Sequence, residues 1–503
     1  MKGKLTAAIF RHRAFLCIVL ISLLVKIFLL IQSPVVNRDA VVYISAAQQY
    51  AAGLYAEGSQ HYGMPLYPLL LAAIRFLIPD WILAGQLLSL FPLVICLLPV
   101  YLLTMRLFDR VSALAASLLF AVLPVFNQPV TAIIRDPLFL LLVLSALALF
   151  AWRQSVHPFV WMTCLLLLLV LAPLIRIEGV LLIGLMPVLA LFASERKHKG
   201  WTVLAFWLTA VGLTATGILS ILWYFSQSGF STLSRFPELV QWGRDFITLD
   251  LFNQYQQIQE QLKDIQKDFP QSDLKNNLIE TVRHYTPLIY LLGLLEILVK
   301  EVFPTSLVAL WALRHRRSVF LERSCAVIVW PWVVFFLLNV LFSLIYNFSV
   351  TRYLWIPIAL TLPFVGYGAG LWWQRLTGRS LLVGLMAILL FVVPAAKTLS
   401  YMEKEKSGIV MAGNWLAGKD VKNELRVLVN DRRLCLYADR VAMDNCQYAD
   451  DVAEQLQAVP SGEEYDLLIL IEKSGSPQNH GGYRLLGDFS ERRSVTRIYQ
   501  RPE

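Results

Sequence analysis

The chain alternates between long apolar runs and short polar segments through residue 397. An apolar run of roughly 20 residues can cross the hydrocarbon core of a bilayer as a helix. By this criterion we predict about eleven spanning helices, at residues 14–31, 82–105, 111–126, 137–152, 158–174, 179–192, 201–225, 288–313, 326–345, 353–373 and 381–396. The run at 65–79 is shorter and contains Pro68 and Arg75, so it predicts a re-entrant or interfacial segment.

Composition supports a membrane protein. Of the 503 residues, 57% are hydrophobic and only 16% are charged, whereas soluble domains carry about 25% charged residues. These values exclude a cytosolic enzyme, a disordered protein and a fibrous repeat. The net charge of +9 would suggest nucleic acid in a soluble protein. The basic residues cluster between apolar runs, however, which is the positive-inside pattern, so we expect no nucleic-acid partner.

The basic clusters also predict orientation. Basic residues precede the first apolar run and no small-residue cleavage site follows it, which predicts an uncleaved helix with a cytoplasmic N-terminus. Counting the spans then places the C-terminus on the outer side. The sequence therefore predicts a multi-pass protein of the inner (plasma) membrane whose C-terminal region is periplasmic or extracellular.

Two outer segments, residues 32–81 and 226–287, are large. In the second, apolar residues three and four apart predict amphipathic helices that either lie on the membrane surface or form a soluble helical hairpin; they are Leu239, Trp242, Phe246, Leu249, Ile258, Leu262, Ile265 and Phe269. We predict a transmembrane domain at residues 1–397 that includes both segments.

Residues 398–503 differ in being charged and in showing the two-residue period of strands. We predict helices at 407–416 and 450–458, and strands at 426–430, 434–438, 466–472 and 496–501. The predicted fold class is thus a membrane all-α region of about eleven helices followed by a small extracytoplasmic α/β domain.

The six cysteines divide between these regions. Cys435 and Cys446 share the outer domain, where a disulfide is permitted, and two buried free thiols are the alternative. The other four lie in apolar segments, where we expect small buried hydrophobic residues; they are Cys17, Cys96, Cys164 and Cys325.

Two Arg–Asp pairs at the outer ends of apolar runs are candidates for function, because ionisable residues at this depth are costly. Arg38 and Asp39 follow the first run, and Arg135 and Asp136 precede the fourth. Each aspartate alone also suits a helix N-cap. The recurrence of the pair on one face favours a functional role.

Three further sites lie on the predicted outer face. Arg176 and Glu178 end the fifth run, and their alternative role is pairing with neighbours. Arg352 precedes Tyr353 at the tenth run, and its alternative role is an interface anchor. His61 begins an aromatic, turn-rich stretch whose alternative role is a structural loop.

The order of these residues resembles the GT-C fold of integral-membrane glycosyltransferases. The resemblance is to the group (glycosyltransferase family 39-like) that includes the protein O-mannosyltransferases and the aminoarabinose transferases of lipid A. It rests on loose motifs along nearly the whole chain, namely Asp39 with Tyr43, Gly53-Leu54-Tyr55, His61 to Tyr67, Asp136, Arg176 to Gly179, and Arg352-Tyr353 followed by Pro357. Some relatives have paired acids or a Pro-Pro in the first loop, whereas here Arg38 precedes Asp39 and Met64 precedes Pro65, which leaves the acceptor and metal dependence open.

The resemblance implies an enzyme that moves a hexosyl or pentosyl group from a polyprenyl-phosphate donor to an acceptor hydroxyl on a glycan, lipid or protein. It implies Asp39 as general base, with Asp136 orienting the acceptor or holding a cation. Arg352 and Arg176 would bind the lipid phosphate, for which the arginine fork is suited. The other implied substrate-binding residues are Arg38, Tyr43, His61, Tyr62, Arg135, Glu178 and Tyr353.

No cofactor is implied with certainty, and a divalent cation stays open. No nucleotide site is expected, because the activated donor is a lipid. A transporter or flippase of lipid-linked sugars is the alternative function, but it predicts acidic residues at the membrane midplane and internal repeats, and the sequence has neither. A sensor would need a cytoplasmic output module, and the predicted inner loops are too short for one.

Overall fold

The structure is a computed structural model. It describes residues 2–32, 35–192, 212, 215–217, 253–267, 273–315, 325–346, 349–376, 380–400 and most of 407–502. Almost all of the predicted span at 201–225 lies outside these residues, as do the predicted helical positions 239–249 and Phe269.

The first ten helices cover most of the chain up to residue 192. They are α1 (Lys2–Gln32), α2 (Asp39–Ala51), α3 (Tyr55–His61), α4 (Leu66–Arg75), α5 (Trp81–Ile95), α6 (Leu97–Leu107), α7 (Arg110–Val122), α8 (Asp136–Ala151), α9 (Pro158–Ile175) and α10 (Val180–Phe192). Two short 3-10 helices, Pro124–Phe126 and Gln128–Thr131, follow α7, and a third, Ile177–Gly179, separates α9 from α10.

The remaining helices before the C-terminal region begin with a polar one, and those that follow it are largely apolar. They are α11 (Asn253–Lys267), α12 (Asp273–Val302), α13 (Ser306–His315), α14 (Ala326–Tyr346), α15 (Trp355–Leu376), α16 (Ser380–Ala387) and α17 (Val393–Leu399). A 3-10 turn, Thr351–Leu354, leads into α15, and a π-helical turn, Ile388–Val392, joins α16 to α17.

Several helices are long and apolar enough to cross a membrane. In the part of the chain that the structure describes there are five, namely Arg13–Gln32, Trp81–Leu107, Pro158–Ile175, Ala326–Tyr346 and Thr351–Arg375. The helix Arg110–Val122 with Pro124–Thr131, bent by 69°, is a sixth candidate. The predicted helical membrane region is confirmed, and the number eleven stays a prediction.

The predicted single span at 288–313 is wrong in its limits. The structure has two helices there: α12 begins at Asp273, inside the predicted outer segment, and α13 begins at Ser306. The break falls at Phe303–Thr305 because Pro304 has no backbone N–H to continue the helical hydrogen bonds. The expectation of burial is also wrong for Cys17 and Cys164, which are exposed on their helices.

Helix α15, which follows Arg352 in the chain, packs closely on α7. A Cβ atom at Gly366 would lie 2.4 Å from the carbonyl oxygen of Ser112, and one at Gly370 would lie 2.8 Å from its hydroxyl. Glycines four residues apart let two helix backbones approach closely inside a membrane. The two helices are therefore held in one register.

The C-terminal region is a five-stranded sheet with helices α18 (Ser407–Lys419), α19 (Arg433–Tyr437) and α20 (Val452–Ala458). The strand order is β2-β1-β3-β5-β4, for β1 (Val427–Val429), β2 (Cys446–Tyr448), β3 (Leu467–Lys473), β4 (Arg484–Ser490) and β5 (Ser494–Gln500). The β1 strand pairs in parallel with β2 and β3, whereas β5 is antiparallel to β3 and β4. This confirms the small C-terminal sheet domain.

The predicted strand at 434–438 is wrong, because residues 433–437 form the helix α19. All five residues of α19 are buried, so the run lacks the polar positions that distinguish a helix from a strand. Asp431 starts the turn by accepting a hydrogen bond from the Arg433 amide at 3.0 Å. A disulfide joins Cys435 of α19 to Cys446 of β2, with 5.9 Å between the Cα atoms.

Candidate active site

Asp39 and Asp136 are the first residues of α2 and α8, and the N-cap positions are taken by Arg38 and Arg135. Neither arginine side chain caps its helix. Both carboxylates contact arginines from distant parts of the chain. The N-cap interpretation therefore does not describe either aspartate.

The first ion pair joins Asp39 to Arg352, 313 residues apart in the chain. Nη1 of Arg352 donates to Oδ2 of Asp39 at 2.6 Å. The side chains are 40% exposed for Asp39 and 36% for Arg352. This carboxylate is accessible to a substrate as well as to its partner.

The second ion pair joins Asp136 to Arg176 and is buried, with side-chain exposures of 6% and 8%. Nη1 of Arg176 donates to Oδ1 of Asp136. The same guanidinium holds Glu178, with Nε to Oε2 at 3.2 Å and Nη2 to Oε1 at 2.5 Å. One arginine thus faces two carboxylates, and its position is fixed from both sides.

The Tyr353 ring contacts an arginine of each pair. The Cζ atom of Arg176 is 5.0 Å from the ring centroid, and that of Arg352 is 5.6 Å from it. Cations at this range are attracted to an aromatic face. Asn339 of α14 donates to the Tyr353 carbonyl at 3.0 Å. This contact fixes the backbone next to Arg352.

Asp136, Arg176, Glu178 and Arg352 line one pocket of about 560 Å³, part of which is open solvent. Asp39 lies at its edge as the partner of Arg352. Its polar lining is Asp136, Arg176, Glu178, Asn339, Arg352 and Tyr353, and its apolar lining is Phe139, Leu140, Phe335, Leu338, Phe342, Trp355 and Ile356. The pocket combines two guanidinium groups with an apolar wall. Asn339 was missed from sequence, although it is a lone amide within an apolar run and could have been found.

An aromatic cluster lies next to the buried pair. Nη1 of Arg135 donates to the Tyr62 hydroxyl and, at 3.2 Å, to the carbonyl of Ile175. The Tyr43 ring contacts those of Tyr62 and Tyr67 edge-on, at 4.9 Å between centroids in both cases. Helices α2 to α4 are thereby joined to the start of α8.

Two predicted site residues lie elsewhere. The Arg38 side chain is 78% exposed, and its Nε is 3.6 Å from Oδ2 of Asp431 in the C-terminal region. His61 is exposed at the end of α3. The structure thus brings together Asp39, Asp136, Arg176, Glu178, Arg352 and Tyr353, with Tyr43, Tyr62 and Arg135 beside them.

The donor chemistry of the pocket does not suit a divalent cation. Both aspartates face guanidinium groups, which would repel a metal ion. Among the described residues, no group of three or more His, Cys, Asp or Glu side chains is arranged to hold one. We derive no step through a metal.

The chain shares its overall fold with solved membrane enzymes, which confirms the resemblance at the level of the fold. This likeness and the long apolar helices support an integral membrane location. ArnT from Cupriavidus metallidurans, solved with undecaprenyl phosphate, is similar with a TM-score of 0.57 and 14% identity over 98% of each chain.

The oligosaccharyltransferase of Archaeoglobus fulgidus is similar as well. Its complex with zinc and sulfate has a TM-score of 0.59 and 15% identity, over 91% of this chain and 67% of that one. The same organism's AglB, solved with an inhibitory peptide and dolichol-phosphate, has a TM-score of 0.57 and 12% identity, over 92% and 69%. No family model and no curated protein matches the chain in sequence. At these identities the likeness is one of fold.

Proposed function

We propose that this protein transfers a sugar from a polyprenyl-phosphate donor to an acceptor hydroxyl at the charged pocket. The observation that carries the proposal is the juxtaposition of Arg176 and Arg352 across the Tyr353 ring, beside an apolar wall. Guanidinium forks bind phosphate, and an apolar wall suits a lipid chain. The solved relatives held undecaprenyl phosphate in one case and dolichol-phosphate in another, which supports the donor class.

The transfer requires one bond to form and one to break. The acceptor oxygen attacks the anomeric carbon, the bond from that carbon to the phosphate oxygen breaks, and the polyprenyl phosphate leaves with the electron pair. The hydroxyl proton passes to a base. Asp39 is our candidate because its carboxylate is the more exposed of the two aspartates.

The buried group has a different role in this proposal. Asp136 orients the acceptor, and Arg176, held by Asp136 and Glu178, presents a fixed positive charge to the leaving phosphate. Arg352 is the second phosphate ligand. Tyr43, Tyr62 and Arg135 support the pocket from its outer side. Arg38 and His61 have the weakest support as substrate ligands, because one contacts Asp431 and the other is exposed on α3.

A comparison of cell-envelope glycans and lipids by mass spectrometry, with and without the protein, tests this function. We expect one glycan, lipid or protein to lose a single hexose or pentose when the protein is absent. The lipid-linked sugar should then accumulate on the outer side; the same loss with accumulation on the inner side would support the flippase alternative, and an unchanged set of acceptors would contradict both.

We further propose that the pocket faces the periplasm or the cell exterior, that the N-terminus is cytoplasmic, and that residues 398–503 form a separate outer domain. Clusters of basic residues between the apolar runs support this orientation in the inner membrane. Reporter fusions at Lys199 and Glu503 should report opposite compartments. The same compartment for both would contradict the orientation.

A further inference from the structure

The segment that leads into α2 is hydrogen-bonded to the C-terminal region. We call residues 35–38 the α2 entry segment. The backbone N–H of Val36 donates to the Tyr437 hydroxyl at 2.8 Å, and the carbonyl of Val36 accepts from Nη1 of Arg433 at 3.3 Å. Val36 is 1% exposed. Both polar backbone groups of this buried residue are thus satisfied by side chains about 400 residues away in sequence.

Arg433 is itself held rigidly. Its Nε and Nη2 donate to the two carboxylate oxygens of Asp431 at 2.9 and 2.7 Å, and both side chains are buried. Burial alone would raise the pKa of Asp431, but the hydrogen bonds and charge of Arg433 lower it below its ordinary value. Asp431 therefore stays ionised near neutral pH. Its Oδ2 also lies 3.6 Å from Nε of Arg38 in the α2 entry segment.

The α2 entry segment is linked to both aspartates of the two ion pairs. It ends directly before Asp39. Oδ1 of Asn37 accepts a hydrogen bond at 2.9 Å from the amide of Ile133, three residues before Asp136. A shift of the entry segment would therefore move Asp39 relative to Arg352 and relative to the Asp136–Arg176 pair.

We propose that Tyr437 and Arg433 are positioning residues for the pocket: the C-terminal region holds the α2 entry segment so that Asp39 faces Arg352 beside the Asp136–Arg176 pair. The disulfide between Cys435 and Cys446 ties α19, which carries both residues, to the sheet. The C-terminal region is thus a part of the active site's framework. The expected change in kcat rests on the proposed function. The claim that the C-terminal region holds the α2 entry segment does not.

The test uses Tyr437→Phe in the full-length protein, which removes the hydroxyl and keeps the buried aromatic ring. Tyr499→Phe is the control, since Tyr499 is also a buried tyrosine of the same region and its hydroxyl donates to Glu472 at 2.8 Å. Hydrogen exchange of the Val36 amide is the first readout. We expect faster exchange in Tyr437→Phe and no change in Tyr499→Phe.

The second readout is kinetic, with a panel of undecaprenyl-phosphate-linked hexoses and pentoses as donors. In Tyr437→Phe we expect kcat to fall by about three- to tenfold, the equivalent of one hydrogen bond. Binding of undecaprenyl phosphate should be unchanged. In an Asp39→Asn background the same substitution should cause no further loss, because it acts through Asp39.

Unchanged Val36 exchange in Tyr437→Phe would overturn the inference, as would equal effects of the Tyr499→Phe control. A normal kcat in Tyr437→Phe, with Asp39→Asn inactive, would also overturn it and leave the proposed function intact. If Asp39→Asn were fully active, the proposed base would be wrong, and Val36 exchange would still decide whether the C-terminal region holds the segment.

Discussion

The two carboxylate–arginine pairs of the pocket have the same chemistry and opposite surroundings. Asp39 and Arg352 are 40% and 36% exposed, whereas Asp136 and Arg176 are 6% and 8% exposed. The exposed pair is a single contact, and the buried pair includes a second carboxylate from Glu178. An exposed pair contributes little to stability and exchanges partners easily. A buried pair is costly to break, because the remaining charge is left uncompensated.

This difference in exposure suits the two pairs to different roles in the proposed reaction. A residue that accepts a proton from a substrate must be reachable, which favours Asp39. A guanidinium that offers a fixed charge to a leaving phosphate must be held in place beforehand, which favours Arg176. The following substitutions make the same change in both pairs and compare the outcomes.

We expect the largest effect from Asp39→Asn, which keeps the size of the side chain and removes its charge. Transfer should fall by about 10²–10⁴-fold, the usual contribution of a positioned base. Protein yield and thermal unfolding should not change. Asp80→Asn is the control: Asp80 is in the same predicted outer segment and caps α5 by accepting from the Leu83 amide at 2.6 Å, and asparagine can keep that cap. Full transfer by Asp39→Asn at matched protein amounts would refute its role as base.

The next largest effect concerns stability. Arg176→Gln leaves Asp136 and Glu178 facing each other without a cation, so the free energy of unfolding should fall by about 3–5 kcal/mol. Arg352→Gln, the same change in the exposed pair, should cost about 1 kcal/mol or less. Thermal unfolding of the purified proteins measures both. Equal losses would mean that burial does not distinguish the pairs.

A smaller effect is expected from Asp136→Asn, because Glu178 still faces Arg176. Transfer should fall by about 10-fold, less than in Asp39→Asn, since the side chain orients and does not accept the proton. The ratio of the two losses in kcat is the measurement. A greater loss in Asp136→Asn at unchanged stability would exchange the roles of the two aspartates.

The smallest effect is expected from Arg352→Lys, which keeps the charge and loses the planar fork. Binding of undecaprenyl phosphate should weaken by about fivefold, or about 1 kcal/mol, with stability unchanged. Titration with undecaprenyl phosphate measures the change, and Arg38→Lys is the control because Arg38 faces Asp431. Equal binding by both variants would remove Arg352 from the phosphate site.

Much of the fold could be predicted because hydropathy acts locally. Apolar runs such as 158–174 and 326–345 became helices α9 and α14 with limits differing by a residue or so. The secondary-structure prediction was wrong where hydropathy alone does not distinguish a strand from a helix or show where a helix ends. The buried run that forms α19 has no polar face, and the break at Pro304 divides what hydropathy shows as one run.

The candidate site divides in the same way. The sequence by itself determined that Asp39, Asp136, Arg176 and Arg352 lie near the ends of apolar segments, because a charge inside the bilayer is costly. In the sequence an arginine directly precedes each aspartate, and the pattern does not say which residue each carboxylate contacts. The tertiary structure decided the partners: Asp39 contacts Arg352 and Asp136 contacts Arg176, while Arg38 contacts the C-terminal region. Hydropathy indicates how deep a residue lies in the membrane. Which residue it pairs with depends on which helices pack side by side. Long-range contacts decide that packing, such as the glycine-mediated approach of α15 to α7.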